Sequence, residues 1–567
     1  MKAARSEYWE RAIDLLRSGQ NLYPDDIRFP WSLGKLYYER SLYTLAWDEY
    51  RKAEKINPLD VDVLFRLART AGYLNLSARS ADYFERILLI DPENKEAISN
   101  LGWMYYKIHR LDDGETLLRN AIDRFGDDAD LAMTLGTIYS SMYNYDQGKY
   151  WYKKAISAGK SIGDNLFTAV AHYNLSILES RFYHFDLSMD ETNASLNLQT
   201  RASGLLARGE LNQRRLNLRQ AQSDFQAAYA IDTSPLAKLN LAMVYQISGR
   251  LDEAMRYAQD CLEAGEFSWM LNYGIDPDRY KRDIHSILHE TYKGLARLES
   301  FTPRGKTKEK LFSFFKGISY RFKAAAHNIL YRKYSLAAAD AYYAEIDGEE
   351  LTLDAYIQYF SAFENYPRRA AMYLNRAREL ETAMIPAAVP SYDFEEGILS
   401  GDKNLVTQAL ANFDPRWENE LISQCYRELA HPEKGGVVRS RIQQTAAEEF
   451  FALNRGGLLQ AGISLPVEIN IDFNSAEQNM RGEKRLRKVL NKSGFADMNN
   501  TPENPVRFQL NITINKSAGG YTASSELLDT QGEGQTLRHS FSVRDFSMTA
   551  ICDFVRALDN AVFKVSE

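Results

Sequence analysis

The chain is poor in cysteine, histidine and proline. Its 567 residues include 3 Cys, 8 His and 15 Pro. Cys261, Cys425 and Cys552 lie far apart and form no CxxC or Cys/His grouping of the kind that binds zinc. We therefore expect buried thiols, no metal site and no cofactor.

Long apolar runs are also missing. No stretch approaches the roughly 18 to 20 apolar residues that a membrane span needs. The first residues, MKAARSEYWERAIDLL, lack the apolar core and cleavage site of a secretory signal. Taken by itself, the sequence predicts a soluble chain that is cytoplasmic by default. The net charge of -7 provides no field that attracts nucleic acid, so a nucleic-acid partner is not expected.

The chain does have the composition of a folded helical protein. Hydrophobic residues make up 45% and charged residues 26%, and the 12% aromatic share is dominated by 35 Tyr. These values exclude a disordered or fibrous chain.

Residues of the same type return at a fixed interval over residues 27–158. Leucine followed by a small residue stands at positions 33, 67, 101 and 135, an interval of 34 residues. Further series keep this phase: Tyr37, Ala71, Tyr105 and Tyr139; Ala46, Ser80, Gly114 and Gly148; Tyr50, Phe84, Leu118 and Tyr152; Ala53, Ile87, Ala121 and Ala155. Such spacing predicts two antiparallel helices per unit, with small residues where the helices approach and an apolar face that neighbouring units bury.

This small/large pattern resembles the tetratricopeptide repeat family. The resemblance implies a mainly α fold, a right-handed helical solenoid, over residues 1–265. Weaker units, after an insertion of about six residues near 159–164, bring the total to about seven helical pairs. Residues 266–460 keep helical periodicity without the interval, and we interpret them as degenerate repeats or a helical packing region.

Residues 5–24 match the second helix of a unit whose first helix is absent. One explanation is a lone capping helix. The other is a natural chain that extends upstream, with a signal or lipid anchor, in which case the protein would be envelope-associated or periplasmic.

Residues 464–567 change from helical to alternating periodicity. Their pattern predicts a strand, a helix, three antiparallel strands and a last helix, a small α+β (βαβββα) domain. This domain resembles the TolB amino-terminal and CsgG-like domains of bacterial cell-envelope proteins, through Gly494-Phe495 and the turn from Leu527 to Gly532.

Few residues suggest chemistry. His285 and His289 lie four apart on a predicted helix, as two metal ligands could, but no third ligand can be named and a packing role is favoured. We find no catalytic set and expect no enzyme.

Residues 304–333 combine many cations with one acid, Glu309, and an apolar stripe of Leu311, Phe315, Ile318 and Phe322. Such a helix can lie on an anionic membrane or contact nucleic acid. Alternatively, the stripe packs on the solenoid and the cations are solvated.

The resemblance implies that the first helix of each pair lines a concave groove that holds the partner. Carried onto this chain, the predicted partner-binding residues are Arg28, Trp31, Lys35, Tyr38, Phe65, Arg69, Tyr73, Trp103, Tyr106 and Lys107. Aromatic rings among cations suit a protein or peptide partner with acidic groups. The Lys/Asn clamp for chaperone tails is absent, and another part of this chain could fill the groove instead.

The sequence therefore predicts a non-catalytic protein-protein interaction scaffold. An envelope assembly factor, whose terminal domain docks to an envelope complex, is the alternative. An enzyme with a site between the two parts is the least favoured hypothesis.

Overall fold

The structure is a computed structural model that describes most of the chain. The described residues are 2–126, 128–215, 217–233, 235–263, 277–301, 307–344, 367–400, 465–473, 480–491, 495–497, 508–517, 520–529 and 537–543. Isolated residues are also described at 356, between 402 and 412 and between 551 and 562. The chain divides into two compact units, Met1–Thr200 with Glu266–Pro277 and Arg201–Gly265 with Asp278–Glu567. The predicted fold class, mainly α with a small terminal α+β part, is confirmed.

The first unit is a row of helices in which each contacts the next along the chain. The helices are α1 (Lys2–Leu22), α2 (Arg28–Glu39), α3 (Tyr43–Ile56), α4 (Val61–Tyr73), α5 (Ser77–Ile90), α6 (Lys95–Lys107), α7 (Leu111–Phe125), α8 (Ala129–Ser141), α9 (Tyr145–Ile162), α10 (Asn165–Arg181) and α11 (Phe185–Leu198). From α2 onward they form consecutive pairs, as the repeat interval predicted. The insertion near 159–164 lengthens α9.

Small residues let the two helices of a pair approach closely. A Cβ atom added at Gly34 would lie 2.7 Å from the ring of Tyr50, which is fully buried. Where serine replaces glycine or alanine, its hydroxyl finds a partner, because Ser80 Oγ donates to the carbonyl of Ala68 at 2.8 Å. The predicted small/large series therefore form the contact between paired helices.

Four first helices, α2, α4, α6 and α8, end in the same turn. Ser41, Asn75, His109 and Tyr143 have φ between 55° and 58°, and they too are 34 residues apart. The next N–H bonds back to the helix, as that of Leu42 does to the carbonyl of Tyr37 at 2.9 Å. This is a Schellman motif. The sequence did not reveal it, since only Asn is a usual residue for this conformation.

The second unit begins with α12 (Ala202–Arg214), α13 (Leu218–Ile231), α14 (Pro235–Ile247) and α15 (Leu251–Glu263), which form two further pairs. Seven pairs thus precede residue 265, as predicted. The following helices are α16 (Pro277–Phe301), α17 (Thr307–Ala344), α18 (Pro367–Met384), a short 3₁₀ turn (Pro386–Ala388) and α19 (Val389–Ser400). The predicted limits of the domain over residues 266–460 stay a prediction, because residues 413–464 lie outside the described part.

The terminal region of the second unit is a five-stranded sheet. Its strands are β1 (Leu465–Phe473), β2 (Phe495–Asp497), β3 (Phe508–Ser517), β4 (Gly520–Asp529) and β5 (Leu537–Val543), and α20 (Met480–Leu490) follows β1. The order is β2-β1-β3-β4-β5, with β1 parallel to β2 and β3 and with β3, β4 and β5 antiparallel. The short β2 was not predicted.

The core of this region lies between the sheet and its helices. Alternating residues such as Val467, Ile469, Leu510 and Ile512 are buried in it together with Leu486, Leu490 and helical residues between 551 and 562. Leu218 of α13 and Ile247 of α14 pack against the same core. Within the second unit, therefore, the sheet rests on the repeat helices.

Candidate partner-binding surface

The predicted partner-binding residues lie on three first helices: Arg28, Trp31, Lys35 and Tyr38 on α2, Phe65, Arg69 and Tyr73 on α4, and Trp103, Tyr106 and Lys107 on α6. We call this set the first-helix face. Lys35, Arg69 and Trp103 are each separated by one interval of 34 residues, so they occupy the same position in three successive pairs. Local capping helps to place these helices. Asp60 Oδ1 accepts from two N–H groups at the start of α4, and Asn94 Oδ1 accepts from Ala97 at the start of α6.

Trp31 is held between two successive helical pairs. Its indole Nε1 donates to the carboxylate of Asp62, and the guanidinium of Arg66 lies 5.9 Å from its ring centroid. Lys35 approaches the same ring at 5.5 Å. Cations at these distances are attracted by the indole π-system. Trp31 is half-buried, so it contributes to packing as well as to the surface.

Sequence reasoning missed Asp62 and Arg66. Asp62 follows Arg28 by one interval of 34 residues, so the repeat places it on the same face. Its ion pair with Arg66, at 3.7 Å, spans one helical turn. The repeat interval was therefore a signal that could have placed Asp62 on this face, although neither Asp62 nor Arg66 is aromatic.

Three tyrosines form a second cluster. The ring of Tyr38 lies edge-on to Tyr43 and Tyr73, with centroids 5.6 Å apart in each case, and Tyr43 stacks on Tyr73 at 4.5 Å. Burial raises the pKa of Tyr38 to about 12, so its hydroxyl is protonated at neutral pH. Tyr73 keeps 45% of its surface exposed. The cluster thus joins α2, α3 and α4 while it presents one ring to solvent.

The remaining aromatics differ in exposure. Phe65 packs edge-on against Phe84, with ring centroids 5.5 Å apart, and is half-buried. It therefore contributes to packing between α4 and α5. Trp103 lies 4.9 Å from Tyr106 on the same helix and is 42% exposed. Trp103 and Tyr73 are therefore the large aromatic side chains of this face that a partner could cover most readily.

Cations on the first-helix face form fewer ion pairs than those on the second helices. Lys35, Arg69 and Lys107 are exposed, and in the described part of the chain they make no ion pair. By contrast, Arg51 and Arg86 both pair with Glu54, and Arg119 pairs with Glu115. Arg28 is an exception on the face, because Asp26 binds its guanidinium at 2.5 Å. Within the described residues, therefore, no carboxylate pairs with Lys35, Arg69 or Lys107.

The two candidate metal ligands, His285 and His289, pack between α16 and α17. His285 Nδ1 lies 2.9 Å from Nδ1 of His327, and His289 Nδ1 donates to the carbonyl of Ala324 at 2.8 Å. Burial, and secondarily the charge of His327, lowers the pKa of His285 to about 4. The described residues hold no group of three or more His, Cys, Asp or Glu side chains that could bind a metal ion. The packing interpretation fits these contacts.

None of the helices described by the structure combines the length and the apolarity that crossing a bilayer requires.

A known family model matches one part of the helical repeats. The family model of the tetratricopeptide repeat matches residues 237–266, which include α15 and most of α14. No curated protein sequence matches the chain.

Several solved structures are similar. A tetratricopeptide repeat protein from Parabacteroides merdae has 15% identity and a TM-score of 0.38, covering 42% of this chain and 94% of its own. YrrB, a tetratricopeptide protein with an unusual peptide-binding site, has 16% identity and a TM-score of 0.24 over 33% of this chain and 95% of its own. The human IFIT1 dimer with PPP-AAAA has 15% identity and a TM-score of 0.35 over 67% and 88%. Scores this low carry no argument about function.

The C-terminal resemblance to TolB amino-terminal and CsgG-like domains stays a prediction, and its Gly494 and Gly532 lie outside the described residues. The repeat assignment stands on the matched residues and on the seven helical pairs. The chain is a helical-repeat protein whose residues 237–266 match the tetratricopeptide repeat model.

Proposed function

We propose that this protein is an interaction scaffold whose first-helix face holds an acidic segment of a partner protein. The observation that carries the proposal is a set of exposed cations, Lys35, Arg69 and Lys107, to which the described residues give no ion pair, beside the exposed rings of Tyr73 and Trp103. A bound carboxylate would give these cations the partners that Glu54 and Glu115 give to cations on the second helices.

The two kinds of residue contribute differently. An exposed ion pair contributes about 0.2 to 1 kcal/mol, because solvent and salt screen it. Full burial of a large apolar side chain contributes about 1.5 to 3 kcal/mol. Tyr73 and Trp103 are partly covered already, so each would supply only part of that amount. We therefore expect the rings to provide most of the affinity and the cations to select acidic ligands.

A peptide-display selection against the full chain tests this proposal. The library contains random peptides, and the measured quantity is the Asp and Glu content of those enriched. We expect enrichment of acidic peptides that also carry an apolar or aromatic residue. Binding of the best peptide, followed by fluorescence anisotropy, should weaken as salt rises, because the cations attract it through screened charges.

A matched pair of variants locates the site. Lys35→Glu with Arg69→Glu reverses two charges on the first-helix face, whereas Arg79→Glu with Lys153→Glu makes the same change in charge at exposed positions on α5 and α9. The first variant should lose the selected peptide and the second should keep it. A selection without acidic enrichment, or equal loss in both variants, would overturn the proposal.

The envelope role and the catalytic role stay alternatives from the sequence. The proposal for the first-helix face depends on neither, since all of its residues lie in Met1–Thr200.

A further inference from the structure

Helix α17 has two opposite faces, and one of them packs on α16. Ser313 Oγ donates to the carbonyl of Glu299 at 3.0 Å, and the rings of Tyr320 and Tyr292 lie 6.1 Å apart. Further along, Ala324 accepts from His289. These contacts run in opposite directions along the two helices, so α16 and α17 form an antiparallel pair. Ser313, Gly317, Ala324 and Ser335 are buried along this seam.

The opposite face of α17 is exposed and apolar. Phe315, Phe322 and Ile329 are spaced seven residues apart and are 60%, 73% and 70% exposed. Ser319 and Ala326 lie between them and are exposed as well. At 1.5 Å per residue, the row from Phe315 to Ile329 extends about 21 Å along the helix. We call these five residues the α17 stripe.

The stripe differs from the one that the sequence suggested. Phe315 and Phe322 were expected to share a face with Ile318, which is half-buried, and the packing alternative required all of them to be covered. The structure instead buries small residues and histidines against α16. Apolar periodicity could not separate these faces, because apolar residues occur all around the helix.

Cations border the α17 stripe on both sides. From Leu311 to Ala339 the chain has no Asp or Glu and has five cations, Lys316, Arg321, Lys323, Arg332 and Lys333. At 100° per residue, Arg321 and Arg332 lie about 80–100° to one side of Phe322, and Lys316 and Lys323 about 100–120° to the other. Lys333 lies about 20° from Phe322, at the end of the stripe beyond Ile329. Lys316 pairs with Glu299 at 2.8 Å, and the described contacts give Arg321 no carboxylate.

From this arrangement we infer that α17 lies along an anionic lipid surface, with Phe315, Phe322 and Ile329 inserted between headgroups and the flanking cations on lipid phosphates. A narrow apolar row with positive charge on both flanks fits a planar negative surface, because both flanks reach it at once. Long basic side chains extend toward headgroups while their stems cover apolar surface. A helix of this kind rests on the bilayer without crossing it.

Cosedimentation of the full chain with vesicles tests this inference. We expect binding to vesicles of phosphatidylcholine mixed with phosphatidylglycerol and not to phosphatidylcholine alone, with release at high salt. Phe322→Ser with Ile329→Ser should weaken binding on the order of tenfold or more, because two inserted apolar side chains are lost. The control, Leu89→Ser with Ile162→Ser, removes side chains that are 84% and 70% exposed elsewhere, and it should bind as the unaltered chain does.

Three results would overturn the inference. One is no binding to the mixed vesicles, and another is equal loss in the α17 variant and the control. The third concerns the molar mass measured by light scattering: it would double as the concentration of the unaltered chain rises and stay at the monomer value in the α17 variant. The stripe would then join two copies of this chain. Circular dichroism of each variant verifies that the helices are intact.

Discussion

Replacing Gly136 with alanine tests whether close helix approach holds the repeats together. Gly136 of α8 faces Tyr152 of α9, and an added Cβ atom would lie 2.7 Å from the ring. The ring cannot easily move, because it is 3% exposed and its hydroxyl bonds to Thr137 at 3.2 Å. Overpacking of this kind costs about 1 to 3 kcal/mol, which matches or exceeds the gain of about 1 kcal/mol from alanine in a helix.

Gly72 provides the matched control. A Cβ atom there would have Ser80 Oγ as its nearest neighbour at 3.9 Å, which is ordinary contact. Gly72→Ala should therefore only gain helix stability, at most about 1 kcal/mol because Gly72 lies in the last turn of α4. The free energies of unfolding of the two variants should thus differ by about 1 to 3 kcal/mol, which is the overpacking cost.

Thermal unfolding followed by circular dichroism measures this difference. For a unit of about 150 to 250 residues, 1 kcal/mol shifts the midpoint by about 2 to 4 °C. The transition that includes the first unit should fall for Gly136→Ala and rise for Gly72→Ala. Equal midpoints would refute the reasoning, because they would show that Tyr152 has room to move.

Three further groups of substitutions act on the left-handed turns, on the two tryptophans and on His285. His109→Gly should raise the free energy of unfolding by about 0.5 to 1 kcal/mol because glycine adopts positive φ without strain, whereas Asn75→Gly should change it little, as chemical denaturation would show. Trp31→Ala should cost about 1 to 3 kcal/mol in the same assay, since it removes a half-buried ring together with its hydrogen bond to Asp62, whereas Trp103→Ala should stay within about 0.5 kcal/mol. Stability should fall as pH drops from 6.5 toward 4, because His285 becomes protonated in the unfolded chain but not in the folded chain, where its pKa is lowered to about 4. In a series of melting temperatures measured from pH 7 to 4, His285→Gln should lose less stability toward low pH than the unaltered chain does.

The helical pairs could be predicted from the sequence because the pairs place a small residue of one helix against a large side chain of the other, and few other contacts require this combination. Gly34 against Tyr50 and Gly136 against Tyr152 are pairs of this sort, and each returns in register. The turn residues could not be predicted in the same way. Ser41, His109 and Tyr143 adopt a left-handed conformation imposed by the packed helices, and their side chains do not favour it.

The candidate surface was predicted less completely. Its aromatic residues stood out, but Asp62 and Arg66 act through the neighbouring repeat, and only the folded stack shows that they reach Trp31. The strand β2 has three residues, which is too short for an alternating pattern to be visible. The sequence of α17 alone does not show which of its faces is buried, because that is decided by its contacts with α16.

Site-specific photocrosslinking tests the central claim most directly. A photoreactive phenylalanine derivative replaces Trp103 on the first-helix face in one variant and Leu89, which is 84% exposed on α5, in another. With an acidic peptide from the display selection, we predict crosslinks at position 103 and none at position 89. Crosslinks at 89 alone, or at both positions equally, would contradict the assignment of the first-helix face as the partner-binding surface.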